Sequence, residues 1–95
     1  MSERDNKLEV IRKFTELNER VDKLDRYYYY INTERKRPSL IVMELSPSGN
    51  GYINGRYVNT DSFKTTKLGD INIKTLADHE IISLIQEAIH NINLK

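Results

Sequence analysis

The side chains with the clearest chemical credentials are two histidines near the C-terminal end, His79 and His90. The chain has no cysteine, so a nucleophile or an acid–base centre would rest on serine, imidazole or carboxylate. Glu87 and His90 make a Glu-x-x-His pair, the spacing by which one helix offers two ligands to a di-iron bundle. Such a centre needs further carboxylates from facing helices. Helical periodicity instead places this pair in the middle of a polar face, which reads as solvated surface. Ser46, Ser48, Ser62 and Ser83 are the hydroxyl candidates, and none stands in a Gly-x-Ser-x-Gly elbow. Ser48-Gly49-Asn50-Gly51 is glycine-rich, but no helix follows it and no Lys-Ser/Thr closes it, so it reads as a hairpin turn and not a phosphate loop. The expectation is a protein that is not an enzyme, with no metal site and no cofactor; catalysis by His79 or His90 ranks last.

The aromatic residues say more. Tyr27, Tyr28, Tyr29, Tyr30 and Ile31 form a run with the composition of a strand. Alternation sets Tyr28 and Tyr30 against Tyr27, Tyr29 and Ile31. In the next apolar stretch, Ile41, Met43 and Leu45 oppose Leu40, Val42 and Glu44. Both faces of these two strands are therefore apolar or aromatic, whereas a half-buried antiparallel strand should show a polar outer side. Either a helix covers each face, or both helices share one face and Tyr28, Tyr30, Leu40 and Val42 are left to meet a partner. Beside them lies a basic loop, Arg35-Lys36-Arg37, with Arg26 at the start of the tyrosine strand and Arg56 in the next strand. Tyrosines next to Arg and Lys are also the equipment for stacking bases and holding phosphates.

The elements that position these residues follow from periodicity. Val10, Phe14, Leu17, Val21 and Leu24 recur at alternating spacings of four and three, which predicts a helix over about 3–24. Glu9/Lys13, Glu16/Arg20 and Glu19/Lys23 give that helix three well-ordered i,i+4 pairs. Strands are expected at 27–31, 40–45 and 52–58, with a short edge strand at 70–74. Asn54-Gly55 is a favoured type I′ pair that would fold the 52–58 segment into a hairpin. Thr75, with Asp78 three residues on, predicts the start of a second helix over about 76–92, carried by Ile81, Ile82, Leu84, Ile85, Ala88, Ile89 and Ile92. The fold class is thus α+β: one domain over 1–95, with a helix in 1–25, an antiparallel meander of three to four strands with loops in 26–74, and a helix in 75–93. The order helix–strands–helix resembles that of double-stranded-RNA-binding domains. That family grips phosphates with basic residues at the start of its second helix, where this chain has Asp78-His79-Glu80.

Composition sets outer limits. Ninety-five residues with 38% hydrophobic content suffice for one thin core. Fifteen basic and 14 acidic residues leave a net charge of +1, which removes any global electrostatic pull toward nucleic acid or membrane. No apolar run approaches the ~18 residues of a membrane span, and the charged N-terminus lacks the pattern of a secretory signal. With no cysteine, this suits a cytoplasmic protein. The abundance of Asn, Ile and Lys, all with AT-rich codons, suggests a low-GC bacterium or its phage.

These observations predict a small protein-binding module, a bacterial or phage accessory protein that inhibits or regulates a partner by occupying its surface. Contact is expected through Tyr28, Tyr30, Leu40 and Val42, with Arg35, Lys36, Arg37 and Arg56 steering the encounter. The partner is another protein or a second copy; the 3.5-residue period of the first helix suits docking on the chain's own sheet and also a two-helix seam, and a homodimer is expected through that helix or through the outer sheet face. The alternative is binding of RNA or single-stranded DNA by the same tyrosines and the basic loop.

Overall fold

The computed structural model describes residues 3–33 and 37–93. Along the chain come α1 (Glu3–Arg12), β1 (Asn18–Val21), β2 (Tyr27–Ile31), β3 (Ser39–Leu45), β4 (Tyr52–Ile53), a 3-10 turn (Gly55–Tyr57), β5 (Ile71–Asn72) and α2 (Asp78–Asn93). The strands form one antiparallel sheet in the order β1-β2-β3-β4-β5. The fold is α+β, as the sequence predicts, with one strand more than the meander expected.

The extra strand comes from the N-terminal helix, which stops at Arg12 instead of running to Leu24. Its end tightens into i→i+3 bonds, Lys13 N to Val10 O at 3.3 Å and Phe14 N to Ile11 O at 3.0 Å, and the chain turns back as β1. The apolar stripe divides with it. Val10 is buried and Phe14 and Leu17 pack against the core, while Val21 is 46% and Leu24 67% exposed. The energetics favour this break. Three i,i+4 ion pairs are together worth only about 1 kcal/mol. Pairing β1 with β2 instead satisfies a row of backbone donors and acceptors that β2 would otherwise expose at an edge. It also makes cross-strand pairs with the tyrosines, Glu19 opposite Tyr29 and Arg20 opposite Tyr28.

Three of the hairpins close in one way. Asp22 N bonds Arg26 O at 3.0 Å, Ser46 N bonds Asn50 O at 2.8 Å, and Thr66 N bonds Asp70 O at 2.8 Å. In each, the fourth residue of the turn is left-handed: Asp25 at φ 61, Gly49 at φ 90, Gly69 at φ 87. This is the three-residue loop with a bulge, whose αL position favours glycine. Asn54-Gly55 does not make the expected type I′ turn. Asn54 has φ −64, and its side chain accepts from Arg56 N at 3.1 Å to start the 3-10 turn. A β-carbon on Gly55 would lie 1.9 Å from Gly69 O, so glycine is required there by close approach of two backbones. The strand expected over 52–58 shortens accordingly to Tyr52–Ile53.

Alternation along β3 breaks twice. From Tyr27 to Tyr29 the partner advances from Leu45 to Val42, and from Tyr29 to Tyr30 it advances from Val42 to Leu40. Each slip inserts one extra residue into β3 and inverts its parity. Ile41 and Val42, adjacent in sequence, are consequently both fully buried, and Glu44 takes a left-handed φ of 55. A buried row then runs across four strands, Tyr29–Val42–Ile53–Ile71, each paired with the next.

Both helices close over that row. Leu8, Val10 and Ile11 of α1 and Ile81, Leu84, Ile85, Ala88 and Ile92 of α2 join it in a single core, and the two helices touch each other and not opposite faces of the sheet. At roughly 1.5–3 kcal/mol for each fully buried aliphatic side chain, this layer holds the fold together. The start of α2 also differs from the Thr75 cap expected: the helix begins at Asp78, and Glu80 reaches back to accept from Ala77 N at 2.9 Å.

Candidate functional site

With the helices on one side, the other side of the sheet carries Tyr28 and Tyr30 from β2, Leu40 and Met43 from β3, and Tyr52 from β4, all partly buried. Register groups them into rows. Asn18, Tyr30 and Leu40 are paired in sequence, as are Arg20 with Tyr28, and Met43, Tyr52 and Asn72. The twofold slip in β3 is what brings Met43 to this side and takes Val42 away. Val42, expected here as a contact residue, is a core residue with no exposed surface.

The end of this face nearest the β1–β2 hairpin is bound by charge. Asp22 accepts from Arg26 Nε at 2.8 Å, from Arg26 N at 3.0 Å, from Leu24 N at 2.9 Å and from Tyr28 Oη at 3.0 Å. Burial acts to raise its carboxyl, but these bonds, led by those from Arg26, outweigh it and hold the group at about 2. Burial and then the bond to Asp22 push the Tyr28 phenol up. Arg20 lies 4.6 Å from the centre of the Tyr28 ring. Arg26 also reaches Glu44 Oε1 at 3.6 Å. The cations nearest the tyrosines are therefore engaged by aromatic rings or carboxylates.

Toward the other edge, Tyr52 and Glu44 share a shallow cleft of about 260 Å³ with Thr66, Lys67, Leu68 and Asp70. Leu68 stands 89% exposed on the Thr66–Asp70 turn. That turn is fastened to the 3-10 turn by the Gly55–Gly69 approach and by Gly55 N donating to Asp70 Oδ1 at 3.1 Å. Tyr52, Met43, Leu68 and Arg20 were not among the residues the sequence picked out. Leu68 had a signal, being a lone apolar residue in a polar turn; Met43 had none without knowledge of the bulges.

The steering cations are placed unequally. Arg37 is exposed at the end of the β2–β3 connection. Arg35 and Lys36 lie outside the described residues. Arg56 is exposed, but in the 3-10 turn and not in a strand. That turn packs on α2, and Asn91 Nδ2 donates to Tyr57 O at 2.6 Å, so Arg56 sits on the helix side and does not join the tyrosines.

The candidates for catalysis are not assembled into a centre. His79 lines a cleft of about 310 Å³ with Ser62, Ser83, Glu80 and Glu87. There Glu80 accepts from Ala77 N and Glu87 from Asn59 N, which commits both carboxylates to backbone. His90 lies outside that cleft. Among the described residues no group of three or more His, Asp or Glu is placed to hold a metal ion, and no helix is long and apolar enough to cross a membrane. Comparison with known proteins finds no family model, no curated protein and no solved structure that matches this chain.

Proposed function

We propose that this protein is a non-catalytic protein-binding module, a bacterial or phage accessory protein working in the cytoplasm that regulates or inhibits a partner by covering its surface. The observation that carries the reading is the uncovered sheet face: Tyr28, Tyr30, Leu40, Met43 and Tyr52 lie side by side with both helices on the opposite side. Tyrosine suits such a surface because it offers a large rigid ring with a polar tip and little rotamer entropy to lose. A protein partner is favoured over nucleic acid by the charges around the rings. Arg26 is held between Asp22 and Glu44, and Arg20 covers the Tyr28 ring, so phosphate would meet two carboxylates and a base would meet an occupied ring.

A photo-reactive residue in place of Tyr30, compared with one in place of Gln86 on the exposed side of α2, tests the reading in the producing cell. Protein adducts formed from position 30 and not from 86 support it, and adducts to the chain itself identify the partner as a second copy. Nucleic-acid adducts at position 30 would replace it with the alternative of RNA or single-stranded DNA binding. Absence of any adduct specific to position 30 would remove the docking surface.

A further inference from the structure

The sheet ends at β1, all of whose residues are exposed. Asp22 N bonds Arg26 O at 3.0 Å. Alternation along the ladder therefore turns the backbone groups of Arg20 and Asn18 toward β2 and those of Glu19 and Val21 away from it, to an open edge. Two of the three exposed large hydrophobic residues lie at this edge, Val21 at 46% and Leu24 in the adjoining turn at 67%. We propose that the edge is a self-association surface: two copies pair antiparallel through β1 about a twofold axis at Val21, joining their sheets. The edge is separate from the outer sheet face, and the pairing does not depend on what covers that face.

The backbone limits the register. Residues with outward groups must meet residues with outward groups, so the axis passes through Glu19, Arg20 or Val21 and not between residues. Side-chain charge then decides. An axis at Glu19 sets that carboxylate against its own copy, and an axis at Arg20 does the same with two guanidinium groups; like charges directly opposite are destabilising. An axis at Val21 brings the two valines together and sets Arg20 opposite Asp22 and Glu19 opposite Lys23. The stretch Glu19-Arg20-Val21-Asp22-Lys23 reads minus, plus, apolar, minus, plus, and so complements itself when reversed.

The groups on the side of the helices are available for this pairing. Lys23 is exposed and makes no ion pair among the described residues. Glu19 uses Oε1 for both Arg12 and Tyr29, which leaves Oε2 to face the lysine of the other copy. On the outer side Asp22 is already bonded within its own hairpin, so Arg20 adds attraction there and no new bond. Because Lys23 begins the turn, the shared ladder is short and association is concentration-dependent. The axis is normal to the sheet, so both copies keep their helices on one side and their tyrosines on the other.

The chain has no cysteine, which makes single-cysteine variants a clean test. Two cysteines at the axis have α-carbons about 5.5 Å apart, within disulfide range. Under mild oxidation Val21→Cys should form a covalent dimer faster than Leu68→Cys, although Leu68 is more exposed. Adding Lys23→Glu should slow the Val21→Cys reaction about tenfold by replacing two opposite-charge pairs with two like-charge pairs. In sedimentation the parent's mass should rise between micromolar and millimolar concentration. Val21→Lys should remain a monomer with the parent's circular dichroism spectrum, and Tyr30→Ala on the outer face should associate as the parent does. A parent that stays monomeric, a Val21→Lys protein that still associates, or a Val21→Cys reaction no faster than that of Leu68→Cys or indifferent to Lys23→Glu overturns the proposal; loss of association in Tyr30→Ala moves the contact to the sheet face.

Discussion

Tyr29 and Glu19 face each other across the β1–β2 ladder and are joined by a 2.6 Å hydrogen bond from Tyr29 Oη to Glu19 Oε1. Arg12 Nε donates to the same oxygen at 2.8 Å. The last residue of α1 and the first strand are thus tied through one carboxylate to the largest fully buried side chain. Burial, followed by the bond to Glu19, raises the Tyr29 phenol well above its ordinary range, so it stays a donor at any physiological pH. Tyr29→Phe keeps the ring and deletes the donor. It should lower unfolding free energy by about 1–2 kcal/mol, read as a reduced urea midpoint at unchanged slope. An unchanged midpoint would show that the bond does not hold β1 in place.

Acid should act through the same end of the sheet. Arg12, by its hydrogen bond, lowers the Glu19 carboxyl against the opposing effect of burial, and Asp22 is held at about 2. Both folded values lie below the unfolded values of about 4. Their stabilising contribution is therefore complete above about pH 4 and is lost as pH falls through the folded values. The melting temperature should decline from about pH 4 toward pH 2. Asp22→Asn should melt lower than the parent at neutral pH and lose part of that acid dependence. Equal slopes for the two proteins would rule out the Asp22 bonds as its source.

The two sides of β2–β3 should respond differently to substitution. Tyr30→Ala and Leu40→Ala act on the uncovered face and should cost less than a core change, leaving a cooperative thermal transition. Ile53→Ala, in the buried row, should cost about 2–5 kcal/mol. Val42→Glu should prevent folding, because it places an unpaired carboxylate at a position with no exposure. Circular dichroism melts separate these cases. A folded Val42→Glu protein would mean that Val42 belongs to the outer face after all.

Glycine positions give a cleaner test of backbone geometry. Gly69 is left-handed, yet a β-carbon there would touch nothing within 4 Å. Gly69→Ala should thus cost about 1–2 kcal/mol from conformation alone. Gly55→Ala should cost more although Gly55 is not left-handed, because its β-carbon would collide with Gly69 O. The reverse ranking in chemical denaturation would contradict the packing of the 3-10 turn on the Thr66–Asp70 hairpin.

Local chemistry made much of the fold legible in the sequence. The β-branched and aromatic run placed β2 at Tyr27–Ile31, and the 3.6-residue period placed α2. Gly49 announced the Ser46–Asn50 turn. The lack of a polar side on β2 and β3 was legible too, but not whether a helix covers each of their faces. Three things were decided only by the tertiary structure. Residues 18–21 carry a helical period but are strand, because an open edge on β2 outweighs a few tenths of a kcal/mol per ion pair. Val42 turns inward because two bulges in β3 invert its parity, and a bulge is a response to the partner strand that one strand's own sequence does not encode. Both helices share one side because each has only one apolar stripe, and their joint burial over the Tyr29–Val42–Ile53–Ile71 row is a property of the assembled layer.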